Sequence, residues 1–244
     1  MSSSFSNVKK FLMPIGVVVW VLFGYLLAQF VGLGVVYLMR WLGLPLEALG
    51  ENGFTTVANI LVYGLTLLIL IGVPWWVKKW RTTRAELGLA RVPRLMDFVW
   101  PLAGALVYVI LTVVITVSSM VLIPGADYEQ TQDVGFTALT NRWEFILAFL
   151  SLVIIAPVAE ETIFRGYLQG KLQKYAPVWI SVIITAAIFA LAHLQFNVGL
   201  DTFALGIVLS VLRVVSKSLW PSIFLHMLKN GVAFYFIFVN PLFL

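Results

Sequence analysis

Apolar residues arrive along this chain in long, nearly unbroken runs, and polar residues collect in the short connections between them. The runs fall at about 14–39, 54–77, 98–123, 145–172, 177–196, 200–215 and 218–240. A helix needs about 20 apolar residues to cross roughly 30 Å of hydrocarbon. The pattern therefore predicts seven transmembrane helices, with eight as the upper count. A transmembrane β-barrel would show short segments of alternating polarity instead. The predicted fold class is all-α: a polytopic membrane helical bundle, with residues 1–244 as a single integral membrane domain. The first run is longer than the core of a signal peptide and lacks a small-x-small cleavage site, so it is expected to be a retained span.

Composition strengthens this picture. Hydrophobic residues make up 61% of the 244 residues, charged residues only 11%, and mean hydropathy is +0.99, values that no soluble domain of this size tolerates. Cysteine is absent, which excludes a disulfide framework, a thiol nucleophile and thiolate metal sites. No internal repeat is visible.

Charge placement gives an orientation. Lys9 and Lys10 precede the first run, and Lys78, Lys79, Arg81, Arg84, Arg91 and Arg94 face a single acid, Glu86, after the second. The alternate connections carry Glu47 and Glu51, then Asp127, Glu129 and Asp133. By the positive-inside rule the N-terminus is expected in the cytoplasm, with the plasma membrane as the expected location. Trp75, Trp76, Trp100, Trp143, Trp179 and Trp220 stand near predicted ends, where interfacial anchors belong. The cluster at 78–94 reads as a topology determinant touching anionic headgroups. The net charge of +5 thus calls for a lipid bilayer and no nucleic acid.

Few strongly polar side chains remain at depth, and charged groups there cost at least a few kcal/mol each. The fourth run, "LSLVIIAPVAEETIFRGYLQGKL", holds Glu160, Glu161 and Arg165. The fifth holds His193, and the seventh holds His226, Lys229 and Asn230. The chain has 2 histidines, and both are here.

Helical spacing sorts these residues. Glu161 and Arg165 lie four apart on one face and are expected to pair. Glu160 points about 100° away and is expected to stand without that partner, available for proton transfer. Pro157 is expected to free the carbonyl of Val153 and bend the helix beside Glu160. His226 and Asn230 share a face, and Phe189 is placed to lay its ring against His193. Gly166 and Gly170 read as close packing. Taken singly, a Glu–Arg pair, a histidine or a His/Asn pair serves equally well as interhelical packing. Together a carboxylate, two imidazoles and an amide make a hydrolytic set. A transporter or a non-catalytic binding or immunity protein remains the alternative, although a transporter usually shows repeats or paired broken helices.

The segment "EETIFR" matches EExxxR, "FALAH" matches FxxxH and "HMLKN" matches HxxxN. In their order and approximate spacing these motifs resemble the CAAX-protease and bacteriocin-processing (Abi, CPBP) intramembrane proteases, which include the Rce1-type prenyl-protein endopeptidases. The resemblance covers about 140–240, which would be the protease core. It implies an intramembrane endopeptidase, with its site open to the cytoplasm, acting on a peptide or protein substrate, prenylated and CAAX-type only where the host prenylates. By position, Glu160 would activate water with His193. His226 and Asn230 would stabilise the oxyanion, and Glu161 and Arg165 would support the site. Glu160, His193 and His226 also form a His₂Glu set able to hold zinc, but there is no HExxH. The reading adopted has Glu160 as base without an obligatory metal, with the zinc set as its alternative.

Overall fold

The computed structural model describes residues 2–130 and 133–240, and side chains from residue 12 onward. The side chains of Lys9 and Lys10 lie outside the described residues. The helices are α1 (Ser2–Trp41), α2 (Leu46–Lys78), a single turn α3 (Arg84–Leu87), α4 (Leu95–Leu122), α5 (Arg142–Leu172), α6 (Val178–Leu191), α7 (Phe196–Ser216) and α8 (Trp220–Val239). Six of them are long and apolar enough to cross a membrane, so the chain is an all-α, multi-pass integral membrane protein. The fifth apolar run forms a shorter element than expected: α6 has 14 residues, or about 21 Å at 1.5 Å per residue. It stops because Leu194 turns to φ +57°, and Gln195 is already extended as the cap of α7.

Local signals set the helix ends. The Asn141 side chain accepts hydrogen bonds from the backbone N–H groups of Trp143 and Glu144, starting α5. Thr83 and Glu86 form a reciprocal capping box on α3. Asp97 accepts from the backbone of Arg94 at 2.7 Å and pairs with Arg91 at the start of α4.

Two helices carry wide, π-helical turns immediately before a proline: Leu68–Gly72 before Pro74 in α2, and Leu150–Ile155 before Pro157 in α5. A second π-helical stretch, Thr162–Leu168, follows in α5. Glu160 and Glu161 thus end a six-residue α-helical piece held between two wide turns. Such turns occur often at functional sites.

The chain divides into two compact units. One comprises Gly16–Thr82, Val134–Ile163 and Met227–Leu244. Within it α1 lies close on α2, because Gly24, Ala28 and Gly32 recur every four residues. A Cβ on Gly24 would come 2.6 Å from Leu70, and Ala28 is fully buried. Phe136, Ala148, Val153 and Phe234 form an apolar cluster. The Asn52 side-chain oxygen accepts from both N–H and O–H of Thr137, tying the connection before α5 to the start of α2.

The other unit comprises Met1–Ile15, Thr83–Asp133 and Phe164–His226. In it α7 packs against α6 and α4. Gly206 permits the first contact, since a Cβ there would stand 3.0 Å from Ala186. Residues 83–94 form a strap fastened to three helical ends. The Glu86 carboxylate binds Lys174 at 2.5 Å and lies 3.8 Å from Lys171. Arg213 donates to the Glu86 carbonyl at 3.2 Å, Leu219 N–H to the Gly88 carbonyl at 2.9 Å, and the Trp220 indole to the Arg91 carbonyl at 2.8 Å. The Lys174 ammonium, helped by the Thr83 backbone N–H, holds the Glu86 carboxyl below the usual range. Gly170 is needed here as well, since a Cβ would stand 3.3 Å from the Glu86 carbonyl.

Candidate active site

Glu160, Glu161 and Asn230 belong to one unit, and Arg165, His193 and His226 to the other. In the first, α2 presents a polar stripe at helical spacing. Asn59 donates to the Ser151 hydroxyl at 3.1 Å, and one turn further on the Tyr63 phenol donates to Glu160 Oε1 at 2.5 Å. The expectation that Glu160 stands without a partner is corrected by this contact. A long tyrosine on α2 reaches the carboxylate that the Glu161/Arg165 face leaves aside, and a charge-assisted hydrogen bond lowers the cost of a carboxylate at depth.

Asn230 answers Pro157. In the wide turn the Ala156 N–H donates back five residues to the Ser151 carbonyl. The next donor in that ladder would be residue 157, a proline without an N–H. The carbonyl left over is therefore that of Leu152 rather than Val153, shifted one residue by the π-helical turn. The Asn230 amide donates to it at 2.9 Å. Asn230→Ala is expected to cost about 1–3 kcal/mol of stability in detergent, because a carbonyl in hydrocarbon loses its donor. In a Pro157→Ala background, where a backbone N–H can take over, the same change should cost clearly less. Equal losses of melting temperature in both backgrounds would overturn this account.

In the second unit the groups gather around Phe189, which is 1% exposed. Its ring meets His193 edge-on at 5.0 Å and His226 at 5.7 Å, while the Arg165 guanidinium lies 4.2 Å from its centre. One buried ring thus orients both histidines and stacks with a cation. The expected Phe189–His193 contact is present, but His193 lies in the turn beyond the end of α6 and not on the helix. Its Nδ1 is 2.9 Å from the Phe189 carbonyl. A carbonyl only accepts, so Nδ1 carries the proton and the neutral ring keeps its lone pair on Nε2. Arg165 is fully buried and donates from Nη2 to the Gly206 carbonyl at 3.3 Å. Glu161, four residues before it, is also fully buried.

The zinc alternative can be tested against this arrangement. Among the described residues no group of three or more His, Cys, Asp or Glu side chains could hold a metal ion. Glu160 is engaged by Tyr63 and His193 Nδ1 by a backbone carbonyl. No step below passes through a metal.

Two features escaped the sequence. Tyr63 was visible only as the last member of the spacing Asn52, Asn59, Tyr63. Phe189 was seen as a partner of one histidine and not of both.

Glu161, Arg165 and His226 are buried, Glu160, His193 and Asn230 half-buried, and all but His193 lie on helices long and apolar enough to cross a membrane. Residues 142–232, which contain every one of these groups, match the family described as type II CAAX prenyl endopeptidase Rce1-like. It is similar to the membrane-embedded CAAX protease MroQ of Staphylococcus aureus (strain USA300), 26% identical over 223 residues, which is 89% of this chain and 87% of that protein. It is also similar to the putative membrane peptidase YdiL of Bacillus subtilis (strain 168), 30% identical over 77 residues, 32% of each chain. An uncharacterized 24.3 kDa protein of Escherichia coli is 35% identical over 89 residues, 34% of this chain and 41% of that one. No solved structure matches the chain. These similarities support an intramembrane protease in general terms.

Proposed function

We propose that this chain is an endopeptidase in which Glu160 activates water to cut a peptide bond near the C-terminus of a membrane-associated protein, or within a peptide precursor. The observation that carries this reading is the Glu160 carboxylate itself: it lies in an apolar span, its position is set by Tyr63, and it falls inside the segment 142–232 shared with the Rce1-like family. In the first step Glu160 takes a proton from water as the oxygen attacks the scissile carbonyl carbon, and the carbonyl electron pair moves onto oxygen. His193, with its lone pair on Nε2, assists in orienting that water. The oxyanion is met by donors from His226 and Asn230, the latter having one amide N–H already committed to Leu152. Collapse of the intermediate breaks the C–N bond, and the proton held by Glu160 passes to the leaving nitrogen. Glu161 and Arg165 support the site from the same helix.

The basic residues on the strap support, by the positive-inside rule, a site open to the cytoplasm, in a protein of the plasma membrane. A CAAX-type protein, prenylated in hosts that prenylate, is one substrate that the name of the staphylococcal relative supports. Purified protein given a defined peptide, with new amino termini counted for the wild type and for Glu160→Gln, tests the reading. Removal of metal should leave cleavage intact. Loss on chelation, with recovery at about one equivalent of zinc per chain, would replace the base with a Lewis acid.

A further inference from the structure

The segment shared with the Rce1-like family begins at residue 142, yet the group that touches Glu160 comes from α2, far upstream. We infer that Tyr63 is a positioning residue for Glu160, the contribution of the N-terminal half of the chain to the active site. This inference rests on Glu160 being the water-activating base.

Three contacts in one unit support it. Asn52 binds Thr137, Asn59 binds Ser151, and Tyr63 binds Glu160. These α2 residues lie seven and then four apart, so they share a face of the helix. The contacts run in the same order along α2 and along the connection into α5, as parallel neighbours must. The first two join α2 to α5 and the connection before it without touching the carboxylate, and only the third reaches Glu160. With its rotamer held by the phenol, Glu160 meets water in the same orientation at each turnover. An unrestrained glutamate would have to find that orientation among several rotamers. The phenol and the carboxylate thus form one hydrogen-bonded pair. Tyr25 on α1 lies within electrostatic reach of both groups, so the first two helices together build this side of Glu160.

Tyr63→Phe removes one oxygen and keeps the ring. Measured in detergent on a peptide that the wild type cleaves, it should lower kcat by about 10- to 100-fold, the worth of a hydrogen bond to a charged group. KM should stay within about twofold of the wild-type value. Asn59→Ala is the control, because it breaks the neighbouring contact between the same helices without touching Glu160. It should lower the melting temperature and leave kcat near the wild-type value. A Tyr63→Phe protein with wild-type kcat, or a fall in kcat that Asn59→Ala reproduces, would overturn the proposal. Glu160→Gln separates the two claims. If it is inactive while Tyr63→Phe is unimpaired, only the role of Tyr63 fails. If Glu160→Gln cleaves at the wild-type rate, the base itself is wrong and the role of Tyr63 falls with it.

Discussion

Glu160→Gln should lower the rate of peptide cleavage by about 10² to 10⁴-fold, the usual cost of losing a general base, and should leave the protein folded. The substitution keeps the length and shape of the side chain. Its amide oxygen can still accept the hydrogen bond from Tyr63 that the carboxylate accepts at 2.5 Å. The neutral amide is also cheaper to hold in hydrocarbon than a carboxylate. A melting curve close to the wild type, with turnover nearly abolished, is the expected pair of observations. Glu160→Asp, which withdraws the carboxylate by one methylene, should keep the charge and still be slow, because a displaced base no longer meets the water. A folded Gln variant that cleaves at the wild-type rate would remove Glu160 from the chemistry.

Arg165→Ala is expected to have the largest effect on stability, about 3–5 kcal/mol, the range for removing one partner from a buried charged group. Arg165 has no solvent exposure, donates to the Gly206 carbonyl and stacks on Phe189. Alanine would remove these contacts, leave a cavity the size of the guanidinium stem, and take away the cation proposed to balance the buried carboxylate of Glu161. Arg165→Lys should fall between the two, since an ammonium keeps the charge but cannot reproduce the planar stack. Activity should fall along with stability, because the ring under Arg165 also contacts His193 and His226. An unchanged melting temperature in detergent for Arg165→Ala would show that the cation is dispensable.

The helices were legible because hydrocarbon imposes one requirement, a sustained apolar run, and the chain meets it six times at full length. The fifth run was overextended to residue 196. Hydropathy continues through "LAHL", and nothing in an apolar window signals that Leu194 will adopt a positive φ. The rare ionisable groups were equally legible, since each stands out against its apolar span. Of their partners, Phe189 was legible beside His193 from its spacing, but Tyr63 beside Glu160 was not. Tyr63 is a common residue in an apolar helix, and its role depends on the alignment of α2 with α5, which a single sequence does not state. The carbonyl answered by Asn230 was placed one residue off, at Val153 instead of Leu152, because an α-helical count was applied where the backbone is π-helical. The strap looked like a row of headgroup-seeking cations. In the structure its single acid, Glu86, is held by Lys174 near the end of α5.

The wide turn at Leu150–Ile155 gives α5 a phase that is counted in single residues. A π-helical turn holds one residue more than the α-helical turn it replaces. Deleting one residue there would restore a regular helix with no loss of apolar character and, since the turn still closes with one residue fewer, would leave everything downstream facing nearly as before. Glu160 would still face Tyr63. Relatives that differ in length at this point would then carry their insertions and deletions inside a membrane helix, where hydropathy is blind to them. Two chains of different length could then aim the same EExxxR motif alike, so descent along α5 is recorded as much by where the gap falls as by which letters are shared.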